Sequence, residues 1–119
     1  MLLRSGANVN TPIATGETPL MTCAKTGGAD AVRLLVEVGA AVNAKEPTQN
    51  QTAIMWAAAE HHADVVKALI DSHADLKAAT KQGFTPIHFA ARVGDLESLK
   101  LLLAAGVDVN LLTGEGDGG

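Results

Sequence analysis

Two kinds of apolar stripe alternate along the chain. Narrow stripes of small residues at helical spacing run through Leu20, Cys23 and Ala24, then Ile54, Ala57 and Ala58, then Ile87, Ala90 and Ala91. Bulkier ones follow each after a short break: Val32 and Leu35; Val66, Leu69 and Ile70; Leu99, Leu102 and Leu103. The opposite face of the second kind carries Asp30, Arg33, Glu37, Asp64, Lys67, Asp71, Glu97 and Lys100, which reads as a solvated outer wall. The pattern predicts helices in consecutive pairs, with the charged wall on the second helix of each pair, and an all-α chain.

Punctuation supports the pairs. Thr18, Thr52 and Thr85 stand where an N-cap hydroxyl meets a free helix amide, and Pro19 and Pro86 follow at the first helical position. Gly27 and Gly94 close the first helix where a left-handed residue is expected, and Gly39 and Gly106 close the second. His61 and His73 hold those two places in the middle pair. Each is expected to be left-handed at a cost on the order of 1 kcal/mol that glycine avoids.

The pairs are copies of one unit. Displaced by 67 residues, Gly16 to Asn43 meets Gly83 to Asn110 with ten identities, among them Thr18/Thr85, Pro19/Pro86, Gly27/Gly94, Leu35/Leu102 and Asn43/Asn110. The middle copy matches the last at 33, whereas Thr18 to Thr52 is 34, so one residue is inserted between Ala44 and Asn50. Gly6, Ala7, Val9 and Asn10 echo Gly39, Ala40, Val42 and Asn43, so the chain opens inside a repeat.

Thr18-Pro19-Leu20, Thr85-Pro86-Ile87-His88-Phe89-Ala90-Ala91, Gly39-Ala40-Ala41-Val42-Asn43 and Gly106-Val107-Asp108-Val109-Asn110, at period 33, resemble the ankyrin repeat. The resemblance covers residues 1–113: a partial repeat at 1–13, repeats at 14–46, 47–79 and 80–112, and a Gly-rich tail or truncated repeat at 113–119. It implies an all-α ankyrin-repeat α-solenoid of stacked helix-turn-helix units with projecting hairpin fingers. It further implies that fingers and first helices make a concave face that binds proteins. Carried over position by position, that face holds Glu17 and Lys25; Thr48, Gln49, Gln51, Trp56 and Glu60; and Lys81, Gln82, Phe84 and Arg92, with Thr15, Thr26, Ala59 and Val93 beside them. Trp and Arg are enriched at interface hot spots; Trp56 is expected either to line this groove or to pack between units, and Phe84 to be an exposed finger-tip ring.

Departures from the family are equally specific. Met21 and Met55 stand where His88 does in the third unit, and Ala53 replaces proline, so looser finger anchoring is expected in the first two units. His88 is expected to bond nearby backbone or a Thr hydroxyl. Asn10, Asn43 and Asn110 read as turn residues whose amides bond loop backbone. The insertion around Glu46-Pro47-Thr48-Gln49-Asn50 reads as a tolerated lengthening of one finger.

Composition narrows the function. Hydrophobic residues are 47% of the 119 but aromatics only 3%, so the core must be small aliphatic side chains in close approach. A net charge of −4, with nine basic residues scattered singly, offers no stripe for phosphates, and nucleic acid is not an expected partner. Lone Cys23, in the small-residue stripe, reads as a packed side chain rather than a nucleophile. His61, His62, His73 and His88 have no metal-ligand spacing, and no glycine loop fits a phosphate. No enzyme activity, cofactor or metal is expected.

No apolar run is long enough for a membrane span or signal peptide, so a soluble, cytoplasmic chain is expected without membrane insertion. The leading expectation is a protein-interaction module, an adaptor or scaffold. The alternative is a regulatory or targeting segment of a larger enzyme or transporter. Apolar surface near Leu99, Leu103 and Leu112 points to self-association through uncapped ends. The Ala-rich, aromatic-poor texture resembles bacterial ankyrin proteins more than animal ones.

Overall fold

The computed structural model describes residues 10–13 and 15–107. The opening echo up to Val9, together with Asn110, Leu112 and the tail from 113, lies outside the described residues. Within them the helices are α1 (Pro19–Thr26), α2 (Ala29–Glu37), α3 (Ala53–Ala59), α4 (Ala63–Asp71), α5 (Pro86–Val93) and α6 (Leu96–Ala104). Each odd-numbered helix packs on the even-numbered one that follows it, α1 on α3 on α5 form an inner row, and α2 on α4 on α6 form an outer row. The molecule is elongated, 49 × 26 × 20 Å, as expected of units that touch only their neighbours. The expected all-α solenoid is the fold.

The three first helices start alike. Thr18, Thr52 and Thr85 are extended N-caps, and Pro19 and Pro86 open α1 and α5 where a missing amide proton leaves no bond unmade. His88 Nδ1 accepts from the Thr85 amide at 3.0 Å, with the Thr85 hydroxyl 2.9 Å from the same nitrogen. Methionine does not leave the equivalent amides bare. Met21 Sδ accepts from the Thr18 amide at 3.5 Å and Met55 Sδ from the Thr52 amide at 3.4 Å, with both sulfurs buried. Anchoring of the first two fingers is therefore weaker in kind, since thioether sulfur is a weak acceptor, but present.

All six helices end with one device. The amides of Gly28, Ala40, His62, Ala74, Asp95 and Val107 each reach back five residues, to the carbonyls of Cys23, Leu35, Ala57, Leu69, Ala90 and Leu102. This closure needs the intervening residue in the left-handed region. Gly27 and Gly94 supply it at φ 90° and 71°; His61 and His73 are forced into it at 63° and 66°. Both histidines are as left-handed as the repeat demanded.

Side chains then fasten unit to unit. Asn10 Oδ1 accepts from the Ala41 amide at 2.6 Å and Asn43 Oδ1 from the Asp75 amide at 2.7 Å, so these amides bond not their own loop but the turn one unit further on. His62 Nε2 donates to the Lys25 carbonyl at 3.0 Å, linking the start of α4 to the end of α1. Its ring lies so close to Gly27 that a Cβ there would stand 2.7 Å from it.

Burial peaks in the middle unit, where Ala53, Ile54, Met55, Ala57, Ala58, Val65, Val66, Ala68 and Leu69 are at most 1% exposed. The third unit corrects two expectations. Ala91, placed on the inner stripe, is exposed, although its counterparts Ala24 and Ala58 are 0% exposed. Leu103, placed facing inward, is 44% exposed, and Leu99 is half-buried. No described helix pair lies beyond α5 and α6 to cover them. The charged wall of the outer helices is exposed at every residue expected, with Arg33 and Lys67 3.7 and 3.3 Å from Asp71.

Candidate functional site

Three fingers project ahead of the inner helices, and a backbone bond ties the base of each: Ile13 to Glu17 at 2.9 Å, Glu46 to Gln51 at 3.0 Å and Thr80 to Phe84 at 2.9 Å, the first residue donating each time. The middle finger is thus one residue longer, as the repeat offset required. Its extra length is not slack. Glu46, only 4% exposed, turns its carboxylate into the loop, where it accepts from the amides of Thr48, Gln49 and Gln51 and from the Thr48 hydroxyl. Burial pushes its pKa up, but these hydrogen bonds together outweigh burial and hold it below the ordinary glutamate value. In the third finger the Thr80 hydroxyl plays the same part, accepting from the Phe84 amide at 3.1 Å. The two fingers also join, the Lys81 amide donating to the Gln49 carbonyl at 3.0 Å.

Between the fingers and the inner helices lie two hollows. The first, about 280 Å³, is lined by Thr15, Glu17, Glu46, Thr48, Gln51 and Trp56. Trp56 is half-buried, with Lys25 Nζ 4.6 Å from its ring centre, and its indole Nε1 is buried without a hydrogen-bond partner among the described residues. Lys25 is held there by Glu17 at 3.1 Å, and Glu17 also accepts from the Thr22 hydroxyl at 2.5 Å. That hydroxyl is the main reason the Glu17 carboxyl titrates below its usual range; partial burial opposes it and Lys25 assists.

The second hollow, about 240 Å³, is lined by Gln49, Gln51, Thr80, Gln82, Phe84, Phe89 and Arg92. Phe84 is half-buried rather than an exposed tip, because Phe89 meets it edge-on at 6.2 Å and His88 packs at 5.8 Å. The Arg92 guanidinium lies 5.5 Å from the Phe84 ring centre. A larger opening, about 540 Å³, sits at the turns after α4 and α6, by Ala74, Asp75, Lys77 and Val107, and holds no residue assigned to the concave face.

Of the eleven residues assigned to the face, Glu17, Thr48, Gln49, Gln51, Trp56, Gln82, Phe84 and Arg92 line one hollow or the other, Lys25 covers Trp56, and Lys81 tethers the third finger. Glu60 stands exposed at the end of α3, outside both. Glu46, Thr80 and Phe89 were not anticipated as lining residues. Glu46 had no marker beyond its place in the insertion, since an acidic residue in a loop is ordinarily solvated.

Cys23 is half-buried and burial raises its thiol pKa, the reverse of an activated thiolate. Among the described residues no three His, Cys, Asp or Glu side chains converge as a metal site. No described helix is long and apolar enough to cross a membrane.

Residues 1–80 and 42–113 match the profile described as ankyrin repeats (3 copies). The chain belongs to the ankyrin repeat family. An ankyrin repeat and KH domain-containing protein of Caenorhabditis elegans is 35% identical over 93% of this chain, which spans 4% of that protein. Ankyrin repeat and SAM domain-containing protein 6 of Rattus norvegicus is 33% identical over 87%, spanning 12% of it. Ankyrin repeat and SOCS box protein 16 of Homo sapiens is 34% identical over 90%, spanning 23% of it. The chain therefore corresponds to a small part of each of these relatives. They are animal proteins, and the bacterial texture stays a resemblance. The ankyrin repeat is a protein-interaction fold.

Proposed function

We propose that this chain is an adaptor or scaffold module that holds a partner protein along the two hollows of its concave face. The observation that carries the reading is Trp56: a large half-buried ring beside a buried indole N–H with no partner, at the mouth of a hollow edged by Glu17, Thr48 and Gln51. A donor left unmade inside a protein is costly, and an acceptor from a bound chain satisfies it. The ring supplies apolar area and the Gln51 side-chain amide supplies hydrogen bonds, the usual division of labour at a binding hot spot.

The test is a comparison of captured partners from the source extract. Trp56→Ala, Phe84→Ala and Arg92→Ala combined should empty the list, whereas Arg33→Ala with Lys67→Ala on the outer wall should leave it intact. An unchanged list for the first set rejects the surface.

A second reading is favoured by the lengths of the relatives, of which this chain spans 4% to 23%. In it the repeats serve as a regulatory or targeting segment of a larger enzyme or transporter. The full-length gene product decides between them by the presence of a flanking catalytic or membrane domain.

A further inference from the structure

Alignment of the three units places one pair of positions in three different states. Lys25, Ala59 and Arg92 are equivalent at the end of the inner helix, and Glu17, Gln51 and Phe84 are equivalent at the base of the finger. In the first unit the pair is Lys25 with Glu17, 3.1 Å apart, a cation neutralised by its own unit. In the second it is Ala59 with Gln51, and carries no charge. In the third the cation remains, but the carboxylate has been replaced by a ring, and Arg92 lies 5.5 Å from the centre of Phe84.

The consequence is electrostatic. A guanidinium resting on an aromatic ring keeps its N–H edges available, and those edges match a carboxylate in a two-point fork. The ion pairs among the described residues are Lys25 with Glu17, Arg33 with Asp71 and Lys67 with Asp71; none involves Arg92. The ring beneath is itself fixed by Phe89, so the cation has a firm seat. Around it the hollow offers the amide side chains of Gln49, Gln51 and Gln82, which both donate and accept, as a peptide backbone requires.

We infer that Arg92 on Phe84 is a receptor for the side-chain carboxylate of an Asp or Glu in an extended segment of the partner. The inference rests on the reading of the concave face as the binding surface and names the charge that surface selects. One guanidinium balances one carboxylate, and an acidic residue in the partner does for Arg92 what Glu17 does for Lys25.

The experiment is selection from a random peptide library displayed with both peptide ends fused to carrier, so that only side-chain carboxylates count. The baits are the unaltered chain, Arg92→Gln, Phe84→Glu, Arg92→Lys and Trp56→Ala, each checked for an unchanged helical spectrum. The unaltered chain should enrich Asp or Glu at one fixed position. Arg92→Gln should erase that preference and weaken the best peptide about tenfold. Phe84→Glu should do the same, since it rebuilds in the third unit the internal pair of the first. Arg92→Lys should keep a reduced preference, having charge without the fork.

Peptides selected with no acidic position, or an acidic position that survives both Arg92→Gln and Phe84→Glu, overturn the carboxylate receptor. If those peptides are still lost on Trp56→Ala, the concave face stands as the binding surface without it. Failure to select any peptide that Trp56→Ala weakens rejects both.

Discussion

The middle and third units are built on the same repeat but reach stability by opposite routes. The third keeps Pro86, His88, Gly94 and Gly106, and yet leaves Ala91 exposed and Leu103 at 44%. The middle one has Ala53, Met55, His61 and His73 at those places and an oversized finger, and yet buries nine apolar side chains almost completely. Local signals and tertiary burial stand in for one another. The middle unit, packed against described helices on both sides, has apolar contact enough to hold strained histidines and a sulfur acceptor; the third keeps the caps of the repeat.

The contrast can be broken most directly in the cores. Leu69→Ala, at 0% exposure in α4, should cost about 2–5 kcal/mol by chemical denaturation. Leu103→Ala in α6 should cost less than about 1 kcal/mol, because much of its surface is already in water. Equal losses would mean that the middle unit is not the keystone of the stack.

The fingers come next. Glu46→Ala removes the acceptor of several loop amides and should cost about 1–3 kcal/mol, against about 1 kcal/mol for Thr80→Ala. The fold lowers the Glu46 pKa, so protonation favours the unfolded chain. The contribution is complete above the ordinary glutamate pKa and is lost as pH falls through it toward the lower folded value. Melts of the unaltered chain and of Glu46→Gln should therefore converge in acid, and a gap that persists there removes the carboxylate from the account.

Smaller effects separate the helix ends. His61→Gly and His73→Gly should each raise stability by up to about 1 kcal/mol, while Gly94→Ala, at φ 71° with open space around it, should lower it by a similar amount. No change or a loss for both histidine variants sinks the strain argument. Least of all, the apolar surface of α6 at the exposed Leu96 and Leu103 should give this chain weak self-association at high concentration, and Leu103→Glu should suppress it. Light scattering from a strict monomer at high concentration counts against that.

Much of this was legible in the chain. Spacing and punctuation located the starts of the inner helices and the left-handed residue that closes each helix, placed the insertion, and put His61 and His73 in the left-handed region, because each of these follows from neighbours near in sequence. What escaped depends on residues far apart. His62 carries no sign of its partner in its own neighbourhood, yet it bonds a carbonyl 37 residues earlier. Asn43 was read as a local turn amide and reaches the next unit's turn instead. Phe84 was expected bare, but Phe89 and Arg92 close over it from the adjacent helix. Leu103 fits the inward stripe, and only the absence of a described neighbour beyond α6 exposes it.

The contact between His62 and Gly27 has a consequence for how such chains can grow. The ring fills the space a side chain at 27 would need, so any residue but glycine before His62 obliges the imidazole to shift and puts its bond to the Lys25 carbonyl at risk. The middle unit ends its own in His61. Duplicated in tandem, it would drive the Cβ of one copy into the imidazole of the next, whereas the first or third unit, ending in Gly27 or Gly94, could precede it freely. The order of modules is thus a grammar rather than a list, and recombination within this array lengthens it at lower cost at some seams than at others.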